Sequence, residues 1–193
     1  MGTLFVDKLD PQSGTSLEIG SSGDTISVPS GATINLSNAT QTGVGGTNTP
    51  NFLVAKSGNQ TISSDTATKV SLGTELYDSD NVFGSDKFTV PSGQGGKYNL
   101  FGNVQLQSSG TNKIQNCTVY FYKNGSEATS QPTRISKLFD SNDVTRQMLP
   151  FSFAINLSAS DYIEIYTAAT HSTGGDIFVR QEGTYFGGYK IIE

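Results

Sequence analysis

Several short stretches of this sequence alternate strictly between apolar and polar residues, and aromatic side chains are frequent in them. In the clearest stretch, every second residue is large and apolar: Phe151, Phe153, Ile155 and Leu157. The same alternation occurs at 98–106, 117–122 and 162–166. Successive side chains of a β-strand point to opposite faces, so this pattern predicts strands with one buried face and one solvent face. No stretch of comparable length has apolar residues at helical spacing, and we expect an all-β protein.

The composition narrows the classes of partner. The net charge is −5 and the sequence has no cluster of Lys or Arg, whereas a nucleic-acid partner requires a basic surface. No apolar run approaches twenty residues, so we expect no membrane insertion.

The single cysteine, Cys117, cannot form an internal disulfide and lies in an alternating stretch, where we expect it to fill the core. Residues 1–9 have neither the charged start nor the apolar stretch of a secretory signal. An extracellular type of fold without disulfides or an export signal fits a virus particle assembled in the host cytoplasm.

Residues 1–43 differ from the rest of the chain, because they contain almost no aromatic residues. Three aliphatic pairs recur at intervals of eight or nine residues: Leu17/Ile19, Ile26/Val28 and Ile34/Leu36. The sequences between the pairs are typical of turns, which predicts a series of short strands. Six aliphatic side chains are too few to offset the entropy of ordering about twenty residues. We therefore expect an oligomeric β-stem or an attachment arm for other virion proteins, with a disordered tail as the alternative.

Residues 44–50 are rich in Gly and Thr and are typical of a hinge. Residues 51–193 then form the predicted head, a two-sheet sandwich with jelly-roll winding. An immunoglobulin-like topology is less favoured, since the chain has no Trp and no cysteine pair. The predicted strands are 52–56, 67–72, 87–90, 97–107, 117–123, 133–139, 149–157, 162–169 and 184–192.

One group of motifs resembles the globular head of the complement C1q-like family. There a Phe precedes a Pro-containing turn and then a Gly-x-Tyr-x-aromatic pattern, matched here by Phe88–Pro91 and Gly96–Leu100. Leu100 replaces the family's aromatic residue, and Gly102 stands where another aromatic residue is common. Further similar segments follow the family's order at 61–64, 68–72, 77–83, 119–125, 157–165 and 185–189.

This resemblance implies a C1q/TNF-like jelly roll that assembles as a homotrimer and acts in recognition, not catalysis. Together with the stem-like first 43 residues, it favours a structural virion protein of a bacteriophage. Such a protein is a trimeric tail fibre or capsid/tail appendage that mediates host attachment or particle decoration. The alternative is a secreted, extracellular bacterial C1q-like adhesin or lectin.

Catalytic and cofactor sites are not predicted. The only histidine, His171, lies in a Ser/Gly-rich segment, and the sequence has no nucleophile-elbow motif. A glycan-degrading enzyme is a third hypothesis, but the spacing of Asp161 and Glu164 places them on opposite strand faces. Asp78 and Asp80 are weak candidates for a calcium site, because their spacing does not match an EF-hand loop.

Four tyrosines are the candidate binding residues: Tyr120, Tyr122, Tyr162 and Tyr166. Alternation places them on the faces opposite the core-facing residues of two strands. Large amphipathic rings are typical of subunit interfaces. A host-surface glycan that stacks on these rings is the alternative ligand.

Overall fold

The computed structural model describes residues 9–36, 48–109, 113–128, 134–139, 144–172 and 175–191. All regular secondary structure in these ranges is β-strand, which confirms the all-β prediction.

Residue contacts divide the chain into two units, 1–45 and 46–193. The strands of the second unit are β1 (Asn51–Ala55), β2 (Gln60–Ile62), β3 (Thr68–Lys69), β4 (Thr74–Asp78), β5 (Phe83–Gly84), β6 (Lys87–Thr89), β7 (Gly96–Ser108), β8 (Ile114–Lys123), β9 (Ser126–Glu127), β10 (Arg134–Leu138), β11 (Arg146–Leu157), β12 (Tyr162–His171), β13 (Ile177–Val179) and β14 (Tyr185–Lys190).

The first sheet is organised around the long strand β7. Within the described residues its strand order is β2-β13-β7-β14-β1-β4, and β11 pairs with β7 along the other side. Strand β14 pairs with the first half of β7 and β13 with the second half, all antiparallel. Thus β7 connects every part of this sheet.

The second sheet is organised around β8 and β12. Its order in the described residues is β10-β8-β12-β6-β5, with β3 also paired to β12 and β9 to β8. The β8–β9 hairpin turns at Asn124 and Gly125, which both have positive φ. Asn-Gly is a sequence that favours this backbone conformation and is typical of tight hairpin turns.

The core lies between the two sheets, where the apolar faces of the alternating strands meet. Phe52 of the first sheet stacks on Phe88 of the second, with ring centroids 4.8 Å apart. Phe151 of the first sheet meets Phe121 of the second edge-on at 4.9 Å. All nine predicted head strands overlap a strand of the structure. The head is therefore the jelly-roll sandwich expected from the sequence.

Residues 9–36 contain turns but no β-strand. Ala32 N donates to Pro29 O at 3.1 Å and Asp24 N to Ser21 O at 2.9 Å, so the turns predicted between the aliphatic pairs are present. The short strands predicted for the pairs themselves are not formed in the single chain. The physical reason is that Leu17, Ile19, Ile26, Val28 and Ile34 remain exposed, so packing does not hold the pairs in strands.

The assignment of stem, hinge and head roles to 1–43, 44–50 and 51–193 stays a prediction. Residues 1–8 and 37–47 lie outside the described residues and include most of the expected hinge. No helix in the described part of the chain is long and apolar enough to cross a membrane.

Candidate interaction surface

The four candidate tyrosines lie together on the outer face of the second sheet, the face directed away from the core. Tyr120 and Tyr122 come from β8, and Tyr162 and Tyr166 come from the neighbouring strand β12. Tyr120 and Tyr166 are directly paired across the two strands. All four side chains are half-buried, which places them where alternation predicts.

Each of the four rings is already in contact with another side chain of the same chain. Tyr122 and Tyr166 stack with centroids 4.1 Å apart and an interplanar angle of 18°. The Lys87 ammonium lies 4.4 Å from the Tyr162 ring centroid. The Arg134 guanidinium lies 5.7 Å from that of Tyr120. A stacked sugar or a partner's side chain would have to compete with these contacts.

Charged groups on the same face also have partners within the chain. Lys69 Nζ lies 2.7 Å from Glu164 Oε1 and donates to Ser85 O at 2.7 Å. Arg134 pairs with Glu127 at 3.2 Å. The pKa of the Tyr122 hydroxyl is raised, first by burial and then by the nearby carboxylate of Glu127. The charged groups and tyrosine rings of this face therefore have partners within the chain, whereas Leu138 of β10, on the same face, is 79% exposed.

Asp78 organises a loop in this structure. Its Oδ1 accepts from Val82 N at 2.9 Å and its Oδ2 accepts from Phe83 N at 2.8 Å. Asp80 Oδ2 accepts from the Ser79 hydroxyl at 3.2 Å. Both oxygens of Asp78 are thus occupied by backbone donors, and Oδ1 also accepts from Asp80 N at 3.4 Å, the contact of an Asx turn. Among the described residues no group of three His, Cys, Asp or Glu side chains could hold a metal ion.

The groups that could be nucleophiles or acids are dispersed. Burial raises the pKa of the Cys117 thiol to about 11, against a smaller opposing effect of Lys137, so the reactive thiolate is scarce at neutral pH. Asp161 pairs with Lys123 at 2.7 Å, whereas Glu164 pairs with Lys69. Each carboxylate thus has its own cation, and the two do not form an acid–base pair.

The outer face of the first sheet carries a cleft that sequence reasoning missed. Its apolar lining comes from four strands: Leu53 and Ala55 of β1, Leu76 of β4, Phe101 of β7 and Tyr185 of β14. Its volume is about 350 Å³. Leu76 is 58% exposed and Tyr185 is 38% exposed, so apolar surface is open to solvent here.

A glycine allows the rings of this cleft to lie close to the sheet. Gly187 of β14 pairs directly with Phe101 of β7. A Cβ on Gly187 would lie 2.7 Å from Phe101 Cζ and 3.0 Å from Leu53 Cδ1. These two side chains therefore occupy the space above Gly187 and form the floor of the cleft. Met148 of β11 adds a further apolar side chain to the sheet, 53% exposed.

No family model matches the chain, and no curated protein matches it in sequence. Solved structures do resemble it in fold. The crystal structure of murine APRIL at pH 5.0 aligns with a TM-score of 0.51 and 15% identity, covering 73% of this chain and 98% of that one. The globular domain of zebrafish complement 1qA aligns with a TM-score of 0.48 and 13% identity, covering 75% and 98%. Eiger TNF from S. frugiperda aligns with a TM-score of 0.47 and 13% identity, covering 74% and 91%.

The likeness to murine APRIL supports the C1q/TNF-like jelly-roll fold that the sequence motifs imply. At these identities the likeness extends to the fold alone.

Proposed function

We propose that this protein is a structural virion protein of a bacteriophage, a trimeric fibre or capsid/tail appendage that acts by binding and not by catalysis. Its jelly-roll head mediates attachment to the host surface or decorates the particle. Residues 1–43 provide the contact with other virion proteins. The particle is assembled in the host cytoplasm, which agrees with a buried, unpaired Cys117.

The observation that carries this proposal is the contrast between the two outer faces of the head. On the second sheet, tyrosine rings and charged groups contact each other within the chain. On the first sheet, apolar side chains of several strands surround an open cleft. Exposed apolar surface of this kind marks an interaction site. We assign the first sheet's outer face as the place where copies of this chain meet.

Trimerisation explains how a small head that binds its target weakly can attach a particle. Three equivalent heads on one appendage bind weakly one at a time but together raise the avidity by roughly 10²–10⁴-fold. Closed cyclic symmetry also limits assembly to three copies. Each copy presents one patch to each of its two neighbours, so no patch is left to add a fourth copy. The same geometry serves decoration, in which the heads bind only neighbouring virion proteins.

Light scattering on the purified chain tests self-association. We expect a mass three times the 20.5 kDa of one chain at micromolar concentration. Leu76→Asp combined with Tyr185→Asp should give folded monomers, since both side chains are exposed in the single chain but would be buried between copies. Tyr120→Asp, on the outer face of the second sheet, should remain trimeric. A wild-type chain that is monomeric at this concentration would refute the proposal.

The virion assignment needs a separate measurement. Immunogold electron microscopy and peptide mass spectrometry of purified phage particles should detect the chain at a fixed copy number divisible by three. Detection on the bacterial surface and not on particles would refute the virion role and support the adhesin alternative.

A further inference from the structure

Residues 9–36 display an aliphatic surface that the single chain does not cover. The five aliphatic side chains Leu17, Ile19, Ile26, Val28 and Ile34 are 44–63% exposed. They belong to the three aliphatic pairs of the sequence, the third of which is completed by Leu36, and one polar residue separates the members of each pair: Glu18, Ser27 and Asn35. If the pairs adopt strands, alternation places the aliphatic residues on one face and these polar residues on the other.

Local hydrogen bonds fix the spacing of the pairs. The turn between the first two pairs is closed by Asp24 N donating to Ser21 O at 2.9 Å and by Ser21 N donating to Asp24 Oδ2 at 2.7 Å. The next turn is closed by Ala32 N donating to Pro29 O at 3.1 Å. The turns are thus present before any partner binds. A partner must therefore supply the apolar surface that buries the aliphatic side chains.

Charge excludes two kinds of partner. Residues 9–36 contain Asp10, Glu18 and Asp24 and no Lys or Arg. An anionic membrane surface or a nucleic acid would repel this segment. The partner must therefore be a protein surface that itself presents aliphatic side chains.

The recurrence of the aliphatic pairs indicates that the partner surface is another copy of the same segment. The aliphatic pairs of this segment recur every eight or nine residues, and a second copy of the segment offers the same pairs at the same interval. Short repeats that cannot bury their apolar face alone are stabilised by stacking against like neighbours. The inference rests on the trimer proposed above, since joined heads would hold three copies of the segment at an effective concentration on the order of millimolar.

We infer that the segment forms a three-chain stem whose shared core consists of Leu17, Ile19, Ile26, Val28 and Ile34 from each copy. The pairs adopt strands in this assembly, while Glu18, Ser27 and Asn35 face solvent. The segment is thus a self-assembly element and not only an arm that attaches to another virion protein.

Disulfide cross-linking of the full-length chain tests the stem. Ile26→Cys places a thiol in the shared core, and Ser27→Cys places one on the solvent face one residue away. The native Cys117 is buried and its pKa is raised to about 11, so it contributes little background. Three core thiols can form one disulfide, so mild oxidation of Ile26→Cys should link up to about two thirds of the chains as dimers. Ser27→Cys should link several-fold fewer chains. Disulfides require Cα atoms about 4.4–6.8 Å apart, and residues on the solvent face of the stem lie farther from one another than residues in its core.

The possible outcomes separate this inference from the proposed function. A trimeric mass by light scattering, with equal or negligible cross-linking of the two variants, overturns the stem and leaves the trimeric head intact. A monomeric mass overturns both. Cross-linking of Ile26→Cys only to a different virion protein also overturns the stem.

Hydrogen exchange gives a second readout that does not depend on introduced thiols. Amides of residues 17–36 should exchange at least tenfold more slowly in the wild-type trimer than in Ile26→Ser combined with Ile34→Ser. Glu18→Gln, a matched change at a solvent-facing position, should retain the slow exchange. Fast exchange throughout 17–36 in the wild-type trimer overturns the inference.

Discussion

Gly102 and Phe151 are direct partners across β7 and β11, and the Phe151 ring occupies the space beside Gly102 where a side chain would project. A Cβ on Gly102 would lie 2.5 Å from Phe151 Cζ. The ring also meets Phe121 of the second sheet edge-on at 4.9 Å. The absence of a side chain at Gly102 thus permits an aromatic contact that joins the two sheets.

Gly102→Ala should therefore destabilise the head by about 1–3 kcal/mol or more, as expected when a methyl group is forced into a filled core. Urea unfolding followed by tyrosine fluorescence measures the free energy of unfolding. Gly84→Ala is the matched control, because a Cβ on Gly84 meets nothing within 4 Å and should change stability by less than ~0.5 kcal/mol. Equal losses in the two variants would contradict this packing.

The stacked pair Tyr122 and Tyr166 should contribute to stability within the chain and not to assembly. A double-mutant cycle of Tyr122→Leu and Tyr166→Leu should give a coupling of about 0.5–1.5 kcal/mol beyond the single effects. Both variants should keep the trimeric mass. Tyr166→Leu with Tyr189→Leu, which changes rings in different sheets, should be additive within about 0.3–0.5 kcal/mol. A lower oligomeric mass for Tyr122→Leu would place the interface on the second sheet instead.

The sequence predicted the long strands well, because their alternation is a local property. The 151–157 pattern lies wholly within β11, and the faces of Tyr120 and Tyr166 are those that alternation predicts. The short strands β2, β4, β5, β9 and β13 were missed, since two to five residues carry too little periodicity to detect.

The contacts that define the surfaces could not be predicted, because they join residues far apart in the chain. Leu53 and Phe101 meet only because both β1 and β7 pair with β14, where Gly187 lies between them. Likewise, Lys87 approaches Tyr162 through the pairing of β6 with β12. Strand order determines such neighbours, and neither composition nor local spacing encodes it.

Lys56 is a buried cation whose hydrogen bonds tie β1 to the segment after β3. It is 3% exposed, and its Nζ donates to Gln60 Oε1 at 3.0 Å and to Ser71 O and Oγ, each at 2.9 Å. Burial lowers its pKa, and the Asp86 carboxylate opposes that shift. Lys56→Met keeps the side-chain length but removes all three donors, leaving the carbonyl of Ser71 without this partner.

We expect Lys56→Met to lower the free energy of unfolding by about 1–3 kcal/mol, the usual cost of an unsatisfied buried polar group. Chemical denaturation measures it. The same substitution at the exposed Lys137 should cost less than ~0.5 kcal/mol. If both variants are equally stable, the hydrogen bonds of Lys56 contribute nothing net to folding.

Asp161 should make the head sensitive to acid. Burial alone would raise the pKa of this carboxyl group, but hydrogen bonds from Lys123, Asn124 and Ser158 N outweigh it, and the pKa is lowered. A carboxylate whose pKa is lower in the folded state stabilises that state above its unfolded pKa of about 3.9. That contribution is lost as the pH falls through the folded-state pKa.

Asp161→Asn should therefore have a lower Tm than wild type at pH 6, where the charged carboxylate stabilises the native protein. The difference should narrow steadily below about pH 4, once wild-type Asp161 becomes protonated as well. Thermal unfolding followed by circular dichroism between about pH 2 and pH 7 measures both curves. Asp65→Asn, at an exposed carboxylate, should follow the wild-type curve across this range. A constant Tm difference between wild type and Asp161→Asn down to about pH 2 would show that the carboxylate's charge is not what stabilises this turn.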